Sequence, residues 1–352
     1  MKLLRRFYPV VAFFGGFIVD ALTLGQRVKA SDFWQLGAYL LGAAVFASWL
    51  AWRDVREKEP PLPARNLKGH AARLVWQAPY LLVQFFYGSI FSALFILYFK
   101  SSGNLGSWFT AAVLGGLLVA NEFAGDRYGR RFTLTWSLFA LNAILLLNFV
   151  LPHLAGSLDP AWFYISTVAG AVLAHVLRWL APGRPGRIGP AWGIAVTLLV
   201  AWNLGMIAPV PLVKRDMAVG HDFLRTPGRF VLNVEEPPWW QFWRDESSVA
   251  HVPEGGRLYG VTAIFAPLGV TANLEHRWEV WEDKAWKLVY RDRFRSTGGR
   301  ERGFRGYSWV LNPKPGDWRF TVGTQDGRTI GVLHVRVERG DPRLELRAER
   351  EF

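Results

Sequence analysis

The stretch AWGIAVTLLVAWNLGMIAPVPLVKRD, residues 191–216, decides the fold, because the chain changes its character once, at about Pro211. Before this point lie seven apolar stretches near bilayer length, and after it come about 140 residues of polar sequence with strand periodicity. A helix that crosses a bilayer needs about 20 mostly apolar residues. The sequence therefore predicts four parts: a transmembrane helical domain 1–213, a connecting segment 214–256 with a tryptophan-rich loop, a β-module 257–340 with strands beginning as early as 229, and a tail 341–352.

The membrane part is predicted to be an all-α bundle of about seven transmembrane helices. The predicted spans are 7–25, 33–52, 79–99, 105–123, 132–152, 161–181 and 191–211. Alternate connections carry 15 lysines and arginines on one side and 3 on the other. Because basic residues stay in the cytoplasm, the N-terminus is predicted to be cytoplasmic. An odd number of spans then places the C-terminal domain on the opposite side of the membrane, outside the cytoplasm.

Charge and cysteine content restrict the function classes. The net charge is +13, with 18 basic against 8 acidic residues before Lys214 and 23 against 20 from there on. The basic excess thus belongs to the membrane half, where it indicates topology rather than nucleic-acid binding. The absence of cysteine excludes disulfides, thiolate metal sites and cysteine nucleophiles.

Ionisable residues inside predicted spans are candidates for function, because a charge at membrane depth is costly. They are Asp20, Glu122, His175 and Arg178. One hypothesis is a proton or ion pathway through Glu122 and His175. The other is structural: Glu122 and Arg178 pair or reach the interface, and His175 bonds to a neighbouring helix.

The C-terminal part alternates apolar and polar residues, with turn signals between short runs. Strands are predicted at 229–234, 257–266, 273–282, 286–294, 304–311, 317–324 and 329–338. Several short strands at this spacing are typical of an all-β antiparallel sandwich. His276 lies on the predicted inward face and is interpreted as a hydrogen-bonded core residue.

Several spaced motifs in this part resemble a known bacterial module. They are Leu274-Glu275-His276-Arg277-Trp278, then 298–308 (GGRERGFRGYS), Pro315-Gly316-Asp317-Trp318-Arg319, Asp326-Gly327-Arg328 and Ile330-Gly331. In this order they resemble domain-of-unknown-function family 2914, over about 257–338. The whole layout resembles proteobacterial inner-membrane proteins of family 5924. The resemblance implies a β-module fixed to a membrane, usually outside, and implies no reaction.

Two surfaces of the β-domain are candidates for binding. The first is the loop with Trp239, Trp240 and Trp243, which is interpreted as a stacking platform for a glycan, as a contact with the bilayer surface, or as a cover over the domain core. The second is a basic run that includes Arg300, Arg302 and Arg305 beside Tyr307. It is interpreted as a site for anionic lipid or envelope polymers, or as a solvated strand face.

The sequence contains no Gly-rich phosphate loop, no HExxH, no GxSxG and no dinucleotide fingerprint. The sequence thus predicts a non-enzymatic membrane protein without cofactors. Its partners would be the lipid bilayer and a cell-envelope glycan or periplasmic protein. The alternative is a small transporter or channel-like bundle with the β-domain as an accessory lid.

Overall fold

The computed structural model describes residues 30–56, 67–122, 131–226, 229–237, 239–240, 247–266, 269–299, 303–341 and 347–352. The chain divides into two compact units, one of helices that ends at Ile207 and one of strands that begins at Ala208. Two short segments that join helices, 100–107 and 155–158, belong to the strand unit.

The described residues contain six helices instead of the predicted seven. They are α1 Ala30–Val55, α2 Leu67–Ser101, α3 Leu105–Glu122, α4 Phe132–Ala155, α5 Ala161–Leu180 and α6 Gly189–Asn203. Four of these, α1, α2, α4 and α5, are long and apolar enough to cross a membrane. The first predicted span, 7–25, lies outside the described residues.

Helix α6 is shorter than the predicted span 191–211, and local chemistry explains the difference. After Asn203 the chain leaves the helix, and Gly205 adopts a φ of 70°, a left-handed conformation in which helices commonly end. Pro209 and Pro211 follow, and they have no N–H to continue a helical ladder. The apolar run thus extends beyond the helix into the start of the strand unit.

Ten strands follow the helices. They are β1 Val213–Thr226, β2 Arg229–Glu235, β3 Val249–Val252, β4 Arg257–Phe265, β5 Thr271–Glu282, β6 Ala285–Thr297, β7 Phe304–Leu311, β8 Gly316–Thr324, β9 Thr329–Arg339 and β10 Arg347–Glu351. Seven of them were predicted to within a few residues. The other three, β1, β3 and β10, lie mainly in the predicted connecting segment and tail.

The strands form two five-stranded sheets. The first sheet has the order β10-β2-β1-β4-β7 and the second the order β3-β9-β8-β5-β6. All neighbours are antiparallel except β3 and β9, which run parallel, so the predicted antiparallel domain is mixed. The strands adjacent to β3 in sequence, β2 and β4, belong to the other sheet, and therefore no hairpin turn sets the direction of β3.

Buried apolar side chains from both sheets form one core cluster, which includes Leu258 of β4, Trp278 of β5 and Phe320 of β8. Gly260 lies opposite these rings: a Cβ at this position would be 2.5 Å from Phe320 Cζ and 2.7 Å from Trp278 Cζ2. The close approach of β4 to the second sheet therefore requires glycine at 260.

A second, smaller cluster lies on the other face of the first sheet. Strand β1 has a bulge between His221 and Phe223, where Asp222 adopts a φ of 48°, and beyond it the strand pairs with β2. Leu232, Val261 and Phe352 form part of this cluster. Both faces of the first sheet therefore carry buried apolar side chains.

Candidate functional site

The hairpin β5–β6 places two tryptophans beside each other on the second sheet. Trp281 of β5 is the register partner of Trp286 of β6, and their ring centroids lie 5.2 Å apart at 60°. The connecting turn has only Asp283 and Lys284, with φ values of 53° and 61°. Two successive residues with positive φ form the tight turn whose twist matches that of the flanking strands. This turn therefore fixes the register that pairs the two rings.

The two rings open on a cavity of about 560 Å³, which we call the aromatic cleft. Its lining includes Ser248, Trp281, Trp286, Asp317, His334 and Arg336. The Asp317 carboxylate forms an ion pair with Arg336, with 3.5 Å between Oδ1 and Nε. Both side chains are more than half exposed. The cleft thus combines two apolar ring faces with polar groups that can bond to a ligand.

One side of the cleft is held in place by an arginine. Arg319 forms two hydrogen bonds of 2.7 Å to the carboxylate of Glu279, and its guanidinium lies 4.7 Å from the centroid of Trp286. A bidentate pair of this kind fixes the plane of the guanidinium and therefore the position of the ring on which it stacks.

His334 adds a neutral polar group to the cleft. Its ring lies 5.5 Å from that of Trp286. Burial, together with the positive charge of Arg319, lowers the pKa of His334. At neutral pH the imidazole is therefore uncharged, with one nitrogen that donates a hydrogen bond and one that accepts.

The predicted aromatic loop is exposed where it is described. Trp239 is 91% exposed and Trp240 is 52% exposed, whereas Trp243 lies outside the described residues. The backbone N–H of Ser247 donates to the carbonyl of Glu235 at 2.7 Å and closes the base of the loop. These two rings are thus open to solvent, and the three interpretations of the loop stay predictions.

The predicted basic run, which also includes Arg291 and Arg293, is described only in part. Arg300 and Arg302 lie outside the described residues. Arg291 and Arg293 lie on β6 of the second sheet, whereas Arg305 lies on β7 of the first. The described arginines thus belong to edge strands of two different sheets, and their role in binding an anionic partner stays a prediction.

Tyr307, also a predicted binding residue, packs in an aromatic group on the first sheet. Its ring stacks on Phe223 at 4.5 Å and meets Phe230 edge-on at 5.8 Å. The guanidinium of Arg305 lies 5.8 Å from Phe230. Both predicted residues thus contribute to the second core cluster or its margin.

A buried carboxylate between two histidines was not predicted. The Glu235 carboxylate contacts His221 Nε2 at 3.2 Å and His251 Nδ1 at 2.8 Å, and it also accepts the backbone N–H of His251 at 2.7 Å. Burial by itself would raise the pKa of Glu235, but the hydrogen bonds from the two histidines outweigh it and lower the pKa to about 2. The cluster joins β1, β2 and β3 next to the base of the aromatic loop. No local sequence signal reveals it, because the histidines lie 30 residues apart.

His276 is a core residue, as predicted. Its Nε2 lies 2.8 Å from Thr262 Oγ1 and its Nδ1 lies 3.1 Å from Ser308 Oγ. Burial lowers the pKa of His276 to about 3. Trp278 Nε1 donates to the same Ser308 hydroxyl at 2.9 Å, so this polar network connects β5 to the first sheet.

The predicted intramembrane residues do not come together where they are described. Asp20 and the side chain of Glu122 lie outside the described residues. His175 is exposed on α5 and accepts a hydrogen bond from Trp192 Nε1 of α6 at 3.2 Å. Arg178 donates to the carbonyls of Arg184 and Gly186 in the following loop. The bond of His175 to a neighbouring helix agrees with the structural interpretation, whereas Arg178 bonds to loop carbonyls and its predicted pairing with Glu122 stays a prediction.

In the described part of the chain, no group of three or more histidines and acidic residues has the arrangement of a metal site. The Glu235 cluster joins β1, β2 and β3 through the hydrogen bonds given above.

Comparison with known proteins identifies no family: neither a family model nor a curated protein matches the chain. The resemblance to family 2914 stays a prediction.

Three solved structures show weak likeness. An immunoglobulin-like protein from Pseudomonas aeruginosa is 10% identical over 34% of this chain and 97% of that one, with a TM-score of 0.20. A β-glucosidase from Listeria innocua in complex with gluconolactone is 10% identical over 35% of this chain and 16% of the enzyme, with a TM-score of 0.18. An alkylpurine DNA glycosylase from Pseudomonas fluorescens, bound to DNA with an abasic site analogue, is 11% identical over 84% of this chain and 76% of the enzyme, with a TM-score of 0.21. At TM-scores this low, none of them supports an argument about function.

Proposed function

We propose that this chain is a non-enzymatic protein of a bacterial inner membrane and that its β-domain binds a cell-envelope glycan in the aromatic cleft. The observation that carries the proposal is the pair of rings, Trp281 and Trp286, beside the polar side chains of Asp317, His334 and Arg336.

A sugar ring matches this cleft in chemistry and size. Its C–H faces are apolar and pack on aromatic rings, while its hydroxyls both donate and accept hydrogen bonds. The cleft supplies an acceptor in Asp317, a donor in Arg336 and one of each in neutral His334. Its volume of about 560 Å³ lies within the range of about 300–1,000 Å³ that is usual for ligand sites.

Membrane insertion is supported by the four long apolar helices. Sidedness is proposed from the distribution of basic residues, which favours a cytoplasmic N-terminus and a periplasmic β-domain. The connections 100–107 and 155–158 agree with this arrangement: the same rule places both outside, and both belong to the compact unit of strands.

The β-domain is proposed to be a sandwich of its two sheets. The shared core cluster supports this arrangement, as do the hydrogen bonds that join His276 and Trp278 of the second sheet to Ser308 of the first. Inward-facing side chains of two packed sheets interdigitate in this way.

The non-enzymatic part of the proposal is supported by the placement of Ser308 and His276. A serine beside a histidine suggests nucleophilic catalysis, but both residues are buried in the core. With a pKa of about 3, His276 is a weak base for a serine hydroxyl.

Transport is the less favoured function. The predicted pathway requires its own ionisable residues, Glu122 and His175, to line a cavity between helices. The helical unit has a cavity of about 700 Å³ whose lining includes Asp54, Arg131 and Ser137, but neither His175 nor Arg178 lines it. The predicted pathway residue that is described, His175, lies on the outside of α5.

The test is glycan binding by the full chain in detergent, measured by calorimetry against a panel of bacterial envelope oligosaccharides. We expect Trp286→Ala to weaken binding about 10- to 100-fold, because a central aromatic anchor of an interface contributes most of its free energy. Trp309→Ala is the matched control, since Trp309 is an exposed tryptophan of the first sheet, and it should bind as the wild type does.

Trp239→Ala separates the cleft from the aromatic loop. If this variant loses binding and Trp286→Ala keeps it, the glycan binds at the loop and the cleft assignment is wrong. If the wild type binds no oligosaccharide of the panel, the glycan function itself is wrong.

A further inference from the structure

A buried carboxylate surrounded by three arginines lies on the same outer face of the second sheet as the aromatic cleft. Glu275 of β5 is the register partner of Arg293 on β6, and Arg277 is the partner of Arg291. The Glu275 side chain is only 4% exposed. We call Arg277, Arg291 and Arg293 the arginine cluster.

The three guanidiniums lie around Glu275, but their Nε–H groups do not form hydrogen bonds of normal length with its carboxylate. The Nε atoms of Arg277, Arg291 and Arg293 lie 3.5, 3.7 and 3.7 Å from its oxygens, beyond the usual length of a hydrogen bond. Each guanidinium carries several N–H donors in a fixed plane, far more in total than one carboxylate can accept. Arg277 Nε is in addition buried with no hydrogen-bond acceptor in the described part of the chain.

The charges of the cluster do not balance. One carboxylate faces three guanidiniums, and Arg277 stands directly opposite Arg291 across the strand pair. Like charges directly opposite each other on a sheet repel. The arrangement is therefore that of a site prepared for a further anion, with Glu275 holding the guanidiniums together.

The neighbouring strand leaves room for the cluster. On its β8 side, Glu275 is paired with Gly323, where a Cβ would clash with the carbonyl oxygen of Arg328 in the β8–β9 turn. Glycine at 323 is thus required by the backbone of that turn, and Arg277 Nη2 lies beside it, 3.6 Å from the position of such a Cβ.

The aromatic cleft and the arginine cluster are neighbours along strand β5. Trp281 follows Arg277 by four residues, which corresponds to about 13 Å along a strand. Between them lies the Glu279–Arg319 pair. An oligosaccharide bound with one sugar in the cleft would extend along this face to the arginines.

We propose that the ligand is an acidic glycan, whose carboxylate, phosphate or sulfate group is bound by Arg277, Arg291 and Arg293. This inference rests on the proposed function, because the cleft holds the sugar ring and the arginine cluster adds the specificity for charge. Planar guanidiniums bind such oxyanions in a bidentate manner.

The experiment compares an acidic with a neutral probe on the full chain in a neutral detergent. The acidic probe is a heparin oligosaccharide, and the neutral probe is a chito-oligosaccharide of similar length. We expect the wild type to bind the acidic probe at least about tenfold more tightly, and the double variant Arg291→Gln/Arg293→Gln to lose that preference. Both variant positions lie on a surface strand, so the fold should persist, and an unchanged circular dichroism spectrum confirms it.

Arg295→Gln is the control for charge alone. Arg295 lies on the same strand but opposite Asn273, away from Glu275. It should change the affinity by less than about threefold, because screened surface charges act weakly.

Each failure points to a different part of the argument. Equal binding of the two probes by the wild type, or an unchanged preference in the double variant, overturns the arginine site while the glycan-binding cleft stands. Both sites are supported if Trp286→Ala no longer binds either probe, while Arg291→Gln/Arg293→Gln still binds both probes but no longer prefers the acidic one. If the wild type ignores heparin but binds anionic phospholipid micelles, and Arg291→Gln/Arg293→Gln abolishes that binding, the arginines are a lipid site and the proposal is overturned.

Discussion

At the scale of single residues, Glu235 shows how a charge is accommodated inside the β-domain. Its carboxylate is buried and accepts hydrogen bonds from two histidine rings and one backbone N–H. A buried charge is tolerated only where such partners replace water. The same bonds connect three strands, so the residue acts on the stability of the fold rather than on a ligand.

We predict that Glu235→Gln destabilises the β-domain by roughly 3 kcal/mol at neutral pH, since a pKa lowered from 4.5 to about 2 corresponds to a free energy of that order. Urea unfolding of the full chain in detergent, with hydrogen exchange of peptides from β2 and β3, measures the effect. Because the folded-state pKa is the lower one, this contribution is complete above pH 4.5 and is lost as the pH falls towards about 2. The difference between variant and wild type should shrink over the same interval.

Glu338→Gln is the matched control. Glu338 lies 3.7 Å from His251 Nε2 and is half exposed. An exposed pair contributes little, so the change should be less than about 1 kcal/mol. Equal effects of the two variants would contradict the role assigned to the buried carboxylate.

At the scale of elements, the hairpin β5–β6 determines the cleft. Its turn residues Asp283 and Lys284 both adopt positive φ, a conformation that costs a residue with a Cβ about 1 kcal/mol relative to glycine. The sequence Asp-Lys is thus suboptimal for a turn of this kind, which favours glycine in the second position.

We expect Lys284→Gly to raise the stability of the β-domain by about 1 kcal/mol, because glycine adopts positive φ without the cost that a Cβ imposes. Residue 284 does not line the cleft. Urea unfolding measures the gain, and the glycan affinity should not change. Lys284→Ala keeps the Cβ and should give no gain. A stabilisation by alanine equal to that by glycine would show that loss of the lysine side chain, and not relief of the backbone, is the cause.

Alternating polarity was sufficient to predict seven strands, such as β5 with Leu274, His276 and Trp278 on one face. It failed for β1, β3 and β10 for different reasons. Strand β1 begins directly after the apolar run that follows α6. Its bulge at Asp222 interrupts the alternation of apolar and polar residues. Strand β3 has four residues and β10 is highly charged, so neither shows a clear apolar face.

The candidate site was less predictable than the strands. Trp281 and Trp286 become neighbours through a two-residue turn, and that spacing is visible in the sequence once the hairpin is recognised. Ser248, Asp317 and His334 reach the cleft from three other places in the chain. Their convergence depends on the order of strands in the second sheet, which alternation does not determine.

At the scale of the whole molecule, the orientation in the membrane is open to a direct test, because the chain contains no cysteine. We predict that Lys314→Cys, a position in the β-domain that is 77% exposed, reacts with a membrane-impermeant maleimide in spheroplasts. Asp54→Cys, near the cytoplasmic end of α1 in the proposed orientation, should react only after the membrane is permeabilised. The cysteine-free wild type is the blank for both.

The reverse labelling pattern would place the β-domain in the cytoplasm and rule out a periplasmic glycan as its ligand. Labelling of both positions in intact spheroplasts would mean that the proposed number of spans between them is wrong.

The last strand, β10, has a consequence for how copies of the protein coexist in one bilayer. It pairs with β2 along 231–235, and its Arg350 is bound to Asp216 of β1. Its sequence, Arg347-Ala348-Glu349-Arg350-Glu351, sets a row of alternating charges along the outermost edge of the first sheet. Diffusion in two dimensions makes neighbouring molecules collide often, and an uncovered β2 would invite strand exchange between them. A charged edge of this kind disfavours pairing with the edge strand of another molecule.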